Sequence, residues 1–421
     1  MDNVLAIIMA GGRGTRLSVL TYGRTKPAIP FAGKYRIIDF ALSNCVNSDI
    51  HNVAVLAQYQ PLSLVEHIGI GAPWGFATPD RGIRLLQPYQ VPEEAREWYT
   101  GTADAVYQNL QYIEGQDAEM VLILSGDHIY VMDYNDMIEL HQNTQADVTL
   151  AVTRFPEEEL RQFGTVVVDE TGQVTKFQEK VKNPKSNLVS MGIYLFKKDA
   201  LCRWLEEDAR RVTSKHDFGR NVFPAMIGKS KIIAYNFDGY WRDIGAVDAY
   251  WQANMDLIKM NPSPLYNTDW PIRTPEETRP ASLISETAEV TNSLVSNGCV
   301  IEGRVEHSIL SPKVMVAEGA VVKDSIIMND SIIGQGSLVD YSIVDKEVLI
   351  EAGCHIGFGD DFTPNRKQPE LLKSGISIVG KRARVPLGTK IGRNCVIGCG
   401  VGEDDFHTSE VKSGKTIMSR C

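Results

Sequence analysis

Between Val379 and Val401 the apolar residues Val379, Val385, Ile391 and Ile397 recur at every sixth position, each followed by Gly380, Pro386, Gly392 or Gly398. Four positions beyond each stands a second small or β-branched residue, Ala383, Thr389, Cys395 or Val401. A six-residue period suits neither a helix of 3.6 residues per turn nor a ladder of period two. It suits a solenoid whose three flat faces each take six residues. The period also runs through Val316 and Val322, slips by one to Ile327, Ile333 and Val339, and slips again to Val344, Ile350 and Ile356. A left-handed parallel β-helix over 284–421 is therefore expected, with each slip marking a loosened corner. The polar run 358–374 is expected to be an extruded loop. A β-sandwich rich in Val and Ile would not repeat at spacing six.

The chain before this tail follows another grammar. Short β-branched runs alternate with helical stretches from Val4 to about Trp251, the pattern of an α/β sheet. The expected strands are Val4–Met9, Val53–Ala57, Met120–Leu124, Val148–Val152, Val166–Val168, Met191–Phe196 and Ile232–Tyr235. Ala103, Val106, Leu110 and Ile113 share one helical face, so a helix is expected to open at Gly101-Thr102. The aperiodic stretch from about Asn261 to Pro280 reads as a linker. The organisation is thus a Rossmann-like α/β domain over 1–255, a linker over 256–283, and the β-helix.

A chain of 421 residues has length for two domains, and its 43% hydrophobic content rules out disorder throughout. A net charge of −10 is the wrong sign for gripping a phosphodiester backbone, so no nucleic-acid partner is expected. Seven cysteines without a CxxC pair argue against structural zinc and for reduced thiols. No apolar run is long enough to span a membrane, and the N-terminus lacks the basic and long apolar regions of a signal peptide. A cytoplasmic protein is expected. Solenoid tails of this kind often belong to acyltransferases, which makes His307, His355 and His407 candidate bases. None has an evident partner in the sequence, so structural or solvated roles are expected.

Ligands of open α/β sheets collect at the carboxyl ends of the strands. The strand Val4–Met9 ends in Ala10-Gly11-Gly12-Arg13-Gly14-Thr15-Arg16-Leu17, a turn whose backbone amides can wrap oxyanions while Arg13 and Arg16 add charge. It lacks the third glycine of a dinucleotide fingerprint and the Gly-Lys-Ser/Thr of a Walker loop. Lys26-Pro27-Ala28 brings a further cation. The strand at Met120 runs into Ser125-Gly126-Asp127-His128-Ile129-Tyr130, and Asp243 stands in Tyr240-Trp241-Arg242-Asp243-Ile244-Gly245. Carboxylates just beyond buried strands are placed to hold Mg²⁺ over phosphates. Glu179 and Lys180 are adjacent, so both face one ligand only if the backbone bends there. Asp217-Phe218-Gly219 has no kinase loop to accompany it.

These strings, with Gly33-Lys34-Tyr35-Arg36-Ile37-Ile38-Asp39-Phe40, Trp98-Tyr99-Thr100-Gly101-Thr102-Ala103-Asp104 and Ser190-Met191-Gly192-Ile193-Tyr194, closely resemble the bacterial ADP-glucose pyrophosphorylase (glucose-1-phosphate adenylyltransferase) family over essentially the whole chain. The resemblance implies a Mg²⁺-dependent enzyme making ADP-glucose and pyrophosphate from ATP and glucose 1-phosphate for α-glucan synthesis. Other sugar-1-phosphate nucleotidyltransferases, using UTP, GTP or dTTP, and a non-catalytic regulatory subunit are the alternatives.

Residue by residue, the resemblance implies that Gly11, Gly12, Arg13, Thr15 and Lys26 hold the ATP phosphates, with Arg13 and Lys26 acting in catalysis. Gln58, Tyr99, Gly101 and Thr102 frame the nucleoside. Asp127 and Asp243 carry the metal and are catalytic. Glu179, Lys180, Ser190 and Gly192 hold glucose 1-phosphate. Small phosphorylated effectors are expected on cations including Arg24, Lys34, Arg36, Lys381, Arg382 and Arg384, and a homotetramer is implied. Val181 stands where the family commonly has proline, Arg220-Asn221 where it has Lys-Asp, and Gly23 where an activator lysine is often found.

Overall fold

The computed structural model describes residues 3–12, 14–78, 82–88, 98–260 and 263–419. Contacts divide the chain into two compact units, one of residues 1–12, 38–241 and 270–273, the other of 13–37, 242–269 and 274–421. The limits expected at 255 and 284 divide the chain by sequence pattern; these units divide it by contacts.

The first unit is built on a nine-stranded mixed sheet. Val4–Met9 runs parallel to Asn52–Leu56 on one side and to Met120–Ser125 on the other. Its side chains from Val4 to Ile8 are wholly buried, as a strand covered on both faces requires. Because the chain leaves this central strand in one direction and later returns on its other side, the switch in strand order falls between Val4–Met9 and Met120–Ser125. That crevice is where an open sheet leaves room for a ligand.

All seven expected strands are present, the one around Met191 extended to Leu188–Lys197. Two further strands, Gly82–Leu86 and Val174–Glu179, went unread because exposed Arg84, Thr175 and Lys176 break their apolar alternation. The helix expected at Gly101-Thr102 is Thr102–Tyr107, followed by a second, Leu110–Glu114. Asn109 occupies the break and donates from Nδ2 to the Ala105 carbonyl at 2.8 Å. An aromatic cluster closes the core: Tyr194 meets Phe223 edge-on at 4.7 Å, and Phe177 lies 5.2 Å from the same ring.

The second unit carries three parallel sheets of six, seven and seven strands, the faces of a left-handed β-helix. Their inward ladders, Ile301–Val316–Ile333–Ile350–Val385, Val305–Val322–Val339–Ile356–Ile391 and Leu310–Ile327–Val344–Val379–Ile397, fill one apolar core. The slips in the repeat are tight corners, which corrects the expectation of loosened ones. Each contains one residue fewer and turns through a left-handed backbone, at Asp324 and at Tyr341 with φ of 46°, as does the corner one coil earlier at His307 with φ of 45°. Stacked serines pin these corners: the Ser342 amide donates to Ser325 Oγ and the Ser325 amide to Ser308 Oγ, both at 3.1 Å.

The extruded loop lies between His355–Phe358 and Ser377–Val379, anchored by buried Asn365, whose Nδ2 donates to the Asn394 carbonyl at 2.9 Å. His307 Nδ1 contacts Asp324 Oδ1 at 2.6 Å and His355 packs edge-on to Phe358, so both have local structural partners. Among the described residues, no helix is long and apolar enough to cross a membrane.

Candidate active site

In the first unit, two turns at the switch in strand order are laced together. The Gly126 amide donates to the Met9 carbonyl at 3.0 Å, and a Cβ on Gly126 would stand 3.0 Å from that oxygen and from Ile8. A side chain there would crowd the closure of the Asp127 turn against the turn carrying Gly11 and Gly12, which glycine leaves unobstructed. A Cβ on Gly11 would approach Gln58 Cβ at 3.2 Å, whereas Gly12 has nothing within 4 Å and opens to solvent. Gln58 in turn donates from Nε2 to the Tyr99 carbonyl at 3.4 Å, so two of the expected nucleoside residues stand together.

Asp127 accepts from Ser125 Oγ at 2.5 Å and lies 3.4 Å from His128 Nε2, with about a third of its side chain exposed. Beside it the chain bends at Gly192, with φ of 69°, where a Cβ would stand 3.2 Å from the His128 ring. Ser190 Oγ donates to the Tyr194 hydroxyl at 3.4 Å. Trp241 packs edge-on to His128 at 5.1 Å, and Asp243 follows two residues later.

Glu179 ends its strand and Lys180 takes a left-handed backbone with φ of 51°. That reversal supplies the bend the sequence required: Lys180 Nζ comes to 3.5 Å from Glu179 Oε1. Burial raises the Glu179 carboxyl above its ordinary range, and the ammonium of Lys180 opposes the shift. A cavity of about 340 Å³ lies alongside, lined by Glu179, Val181, Gly219 and Arg220 among others.

Gly101 and Thr102 are tied to the segment 216–218. The carbonyl of His216 accepts from the amides of Ala103 and Asp104 at 2.9 and 3.1 Å, closing the start of the helix. Thr102 Oγ1 donates to Asp217 Oδ2 and accepts from the Phe218 amide, both at 3.1 Å. A Cβ on Gly101 would stand 2.2 Å from the His216 oxygen. Asp217, Tyr194 and Trp241 thus join the residues around the site. Asp217-Phe218-Gly219-Arg220-Asn221 is visible in the sequence as a family string with two departures, but the sequence assigns it no role. Asn221 Oδ1 accepts from the amides of Lys215 and Asp217 at 3.3 and 3.4 Å, contacts that ask only for a side-chain oxygen at this position.

The remaining site residues belong to the second unit. Arg13 lies outside the described residues. Gly14 has φ of 63°, and a Cβ there would strike Thr21 at 2.7 Å. Thr15 opens the short helical stretch Thr15–Thr21 and is exposed. Lys26 is buried with its Nζ 3.1 Å from Asp243 Oδ1, so each charge has a counter-charge. Asp127 and Asp243 each retain partial exposure, the donor type and accessibility that a hard divalent cation with water in its shell needs.

Of the cations expected to hold effectors, Arg24 is buried and ion-paired with Asp345 at a corner of the β-helix, its Nε donating to the Leu20 carbonyl at 2.8 Å. Lys346 follows, its ammonium lowered to about 8 by burial and by the charges of Arg36 and Arg24. Lys381 and Arg382 both contact Glu347, at 3.2 and 2.6 Å. Arg384 is exposed on the adjoining flat face, and Lys34 stands over the Tyr35 ring. Lys346 was missed because a lone lysine in a repeat carries no sequence signal.

The family described as Nucleotidyl transferase matches residues 5–260, and that described as GlmU-like, C-terminal hexapeptide matches 280–379. The chain is 51% identical to glucose-1-phosphate adenylyltransferase of Thermomicrobium roseum, over 99% of this chain and 98% of that one. It is 45% identical to the enzyme of that name from Acetivibrio thermocellus, over 99% and 97%, and 44% identical to that of Thermotoga neapolitana over the whole of both. The chain belongs to the glucose-1-phosphate adenylyltransferase family of nucleotidyl transferases.

Proposed function

We propose that this enzyme converts ATP and glucose 1-phosphate into ADP-glucose and pyrophosphate, acting in the cytoplasm to supply α-glucan synthesis. An oxygen of the sugar phosphate attacks the α-phosphorus of ATP, the bond from that phosphorus to the bridging oxygen breaks, and pyrophosphate leaves with the electron pair. The nucleophile has a second pKa of about 6, so it is already largely dianionic at neutral pH and needs no general base.

Catalysis is then positioning and charge neutralisation. Gly11, Gly12, Arg13, Thr15 and Lys26 hold the triphosphate, and Gln58, Tyr99, Gly101 and Thr102 frame the nucleoside. Glu179, Lys180, Ser190 and Gly192 bind glucose 1-phosphate, Lys180 offsetting the repulsion between two anions. Asp127 and Asp243 are the ligands for Mg²⁺, which when bound neutralises charge on the α-phosphate and the leaving pyrophosphate. The observation that carries this reading is the meeting of the Gly11-Gly12 turn, Asp127 and Gly192 at the switch in strand order. With this reaction we propose the domain limits 1–255 for catalysis, 256–283 for the linker and 284–421 for the β-helix.

Arg24, Arg36 and Arg384, joined by Lys346, are proposed to receive a phosphorylated effector, and the working form is a homotetramer. Pyrophosphate release from ATP, UTP, GTP and dTTP, each with glucose 1-phosphate or mannose 1-phosphate, tests the reaction. ATP with glucose 1-phosphate should be fastest; a preference for another nucleotide, or no release at all, defeats the proposal.

A further inference from the structure

Asp208 stands on the buried side of the helix Lys198–Ala209, in one row with Leu201, Trp204 and Leu205, and only 3% of it is exposed. A carboxylate in such a row is costly unless its oxygens are hydrogen-bonded. Here both oxygens are taken by the turn that leaves the helix. Ser214 Oγ donates to Oδ1 and His216 Nδ1 donates to Oδ2, both at 2.8 Å, and the His216 amide donates to Ser214 Oγ at 3.0 Å. The chain from Arg210 to His216 is thus wound around one buried charge.

That winding holds a strained residue in place. His216 takes a left-handed backbone with φ of 50°, and its carbonyl caps the first amides of the helix Thr102–Tyr107. The Lys215 carbonyl also faces Gly101, where a Cβ would stand 2.4 Å from it. Apolar packing does not fill the space behind the turn: a cavity of about 100 Å³ lies there, lined by Tyr107, Leu205, Asp208 and His216 among others. Past the turn the support changes, because buried Phe218 lies among the rings of Tyr194, Phe196 and Phe223. The next residue, Gly219, packs against Glu179. The core therefore fixes the end of the segment beside the sugar-phosphate residues, whereas Asp208 fixes the end beside Gly101 and Thr102.

We infer that Asp208 and His216 are positioning residues for the nucleoside of ATP. Asp208 is too buried to touch a substrate and acts through the imidazole and hydroxyl that it holds. These set the backbone of 215–217, on which Gly101 and Thr102 rest. The inference rests on the nucleoside role of Gly101 and Thr102 in the proposed function and names what places them.

Calorimetric titration with ATP in the presence of Mg²⁺, with initial rates in both directions and thermal melting on the same samples, tests it. Asp208→Ala should raise the dissociation constant and the KM for ATP about tenfold with kcat within about threefold. The KM values for glucose 1-phosphate and, in reverse, for pyrophosphate should stay within about twofold, because other residues hold those groups. His216→Asn keeps a residue that tolerates left-handed backbone and withdraws the imidazole, and should weaken ATP about fivefold. Asp208→Asn alone should weaken ATP about fourfold, yet add nothing measurable to His216→Asn, since the two act as one unit. His216 is a quarter exposed, so its variant reports even if Asp208→Ala fails to fold. Folded variants that melt lower but bind ATP as the wild type does would make the pair a stabiliser and overturn the inference. Equal rises for ATP and glucose 1-phosphate, or for ATP and pyrophosphate, would overturn the assignment to the nucleoside, and additive effects would overturn action through His216. A wild-type chain that binds ATP but releases no pyrophosphate defeats the proposed reaction, while the calorimetric comparison still decides the pair.

Discussion

The nine-stranded sheet and the β-helix use β-structure in opposite ways. In the helix every coil repeats the last, so inward positions such as Ile333 and Ile350 are interchangeable in role and their burial follows from the period. What is particular to this chain there lies in corners and outward ladders, where the period demands nothing. In the sheet the particular residues lie where strands end. Lys180 and Gly192 adopt left-handed backbone and Gly126 is pressed against a carbonyl, each used once and each beside an expected ligand residue. Regularity stores stability, and chemistry sits where regularity stops.

Truncating the helix core should give the largest effect. Ile350→Ala removes a wholly buried inward side chain and should cost about 4 kcal/mol in urea unfolding, against under about 1 kcal/mol for its outward neighbour Leu349→Ala. Similar costs at the two positions would mean that the inward–outward distinction does not govern stability.

Next comes the strand end. Asp127→Ala should lower kcat a hundredfold or more, about 2.7 kcal/mol, with an unchanged circular dichroism spectrum. Near wild-type turnover at saturating Mg²⁺ would remove Asp127 from metal binding.

Gly101→Ala should act through packing alone, because its Cβ would meet the His216 oxygen and the loop must move. We expect roughly a tenfold loss in kcat/KM for ATP, with thermal stability changed by only a few degrees. An unaltered KM for ATP would detach this loop from the nucleoside.

The smallest effect concerns the corner at Lys346. Its ammonium is held at about 8, so it is mostly charged at pH 7 and mostly neutral at pH 9. Anion binding there should weaken severalfold across that interval, and Lys346→Gln should flatten the profile. Titration with inorganic phosphate followed by calorimetry reads it directly; equal slopes in both proteins would place the anion elsewhere.

The repeat made the β-helix legible almost residue by residue, because a strict period allows one answer. It did not give the corner chemistry: the slips looked loose, yet one residue fewer and the Ser308–Ser325–Ser342 ladder make them tight. In the sheet, the long apolar strands were readable and the edge strands with exposed Arg84 and Lys176 were not. Asp127 and the glycine turn could be found because they directly follow buried strands. Asp217 could not, since its importance comes from Thr102, distant in sequence and adjacent only in the fold. Asn221 shows the converse, a departure in sequence that still leaves a side-chain oxygen to accept from the Lys215 and Asp217 amides.

The central claim is that strand ends of the sheet divide the work between nucleotide and sugar phosphate, and Lys180 tests it most directly. Its left-handed backbone turns the ammonium to the side of Glu179, and a single cation on a ground-state phosphate contributes mainly uniform binding. Two-substrate initial rates of Lys180→Ala should raise the KM for glucose 1-phosphate by about tenfold or more, leaving that for ATP within about twofold. Equal rises in both constants, or none in that for glucose 1-phosphate, would contradict the division.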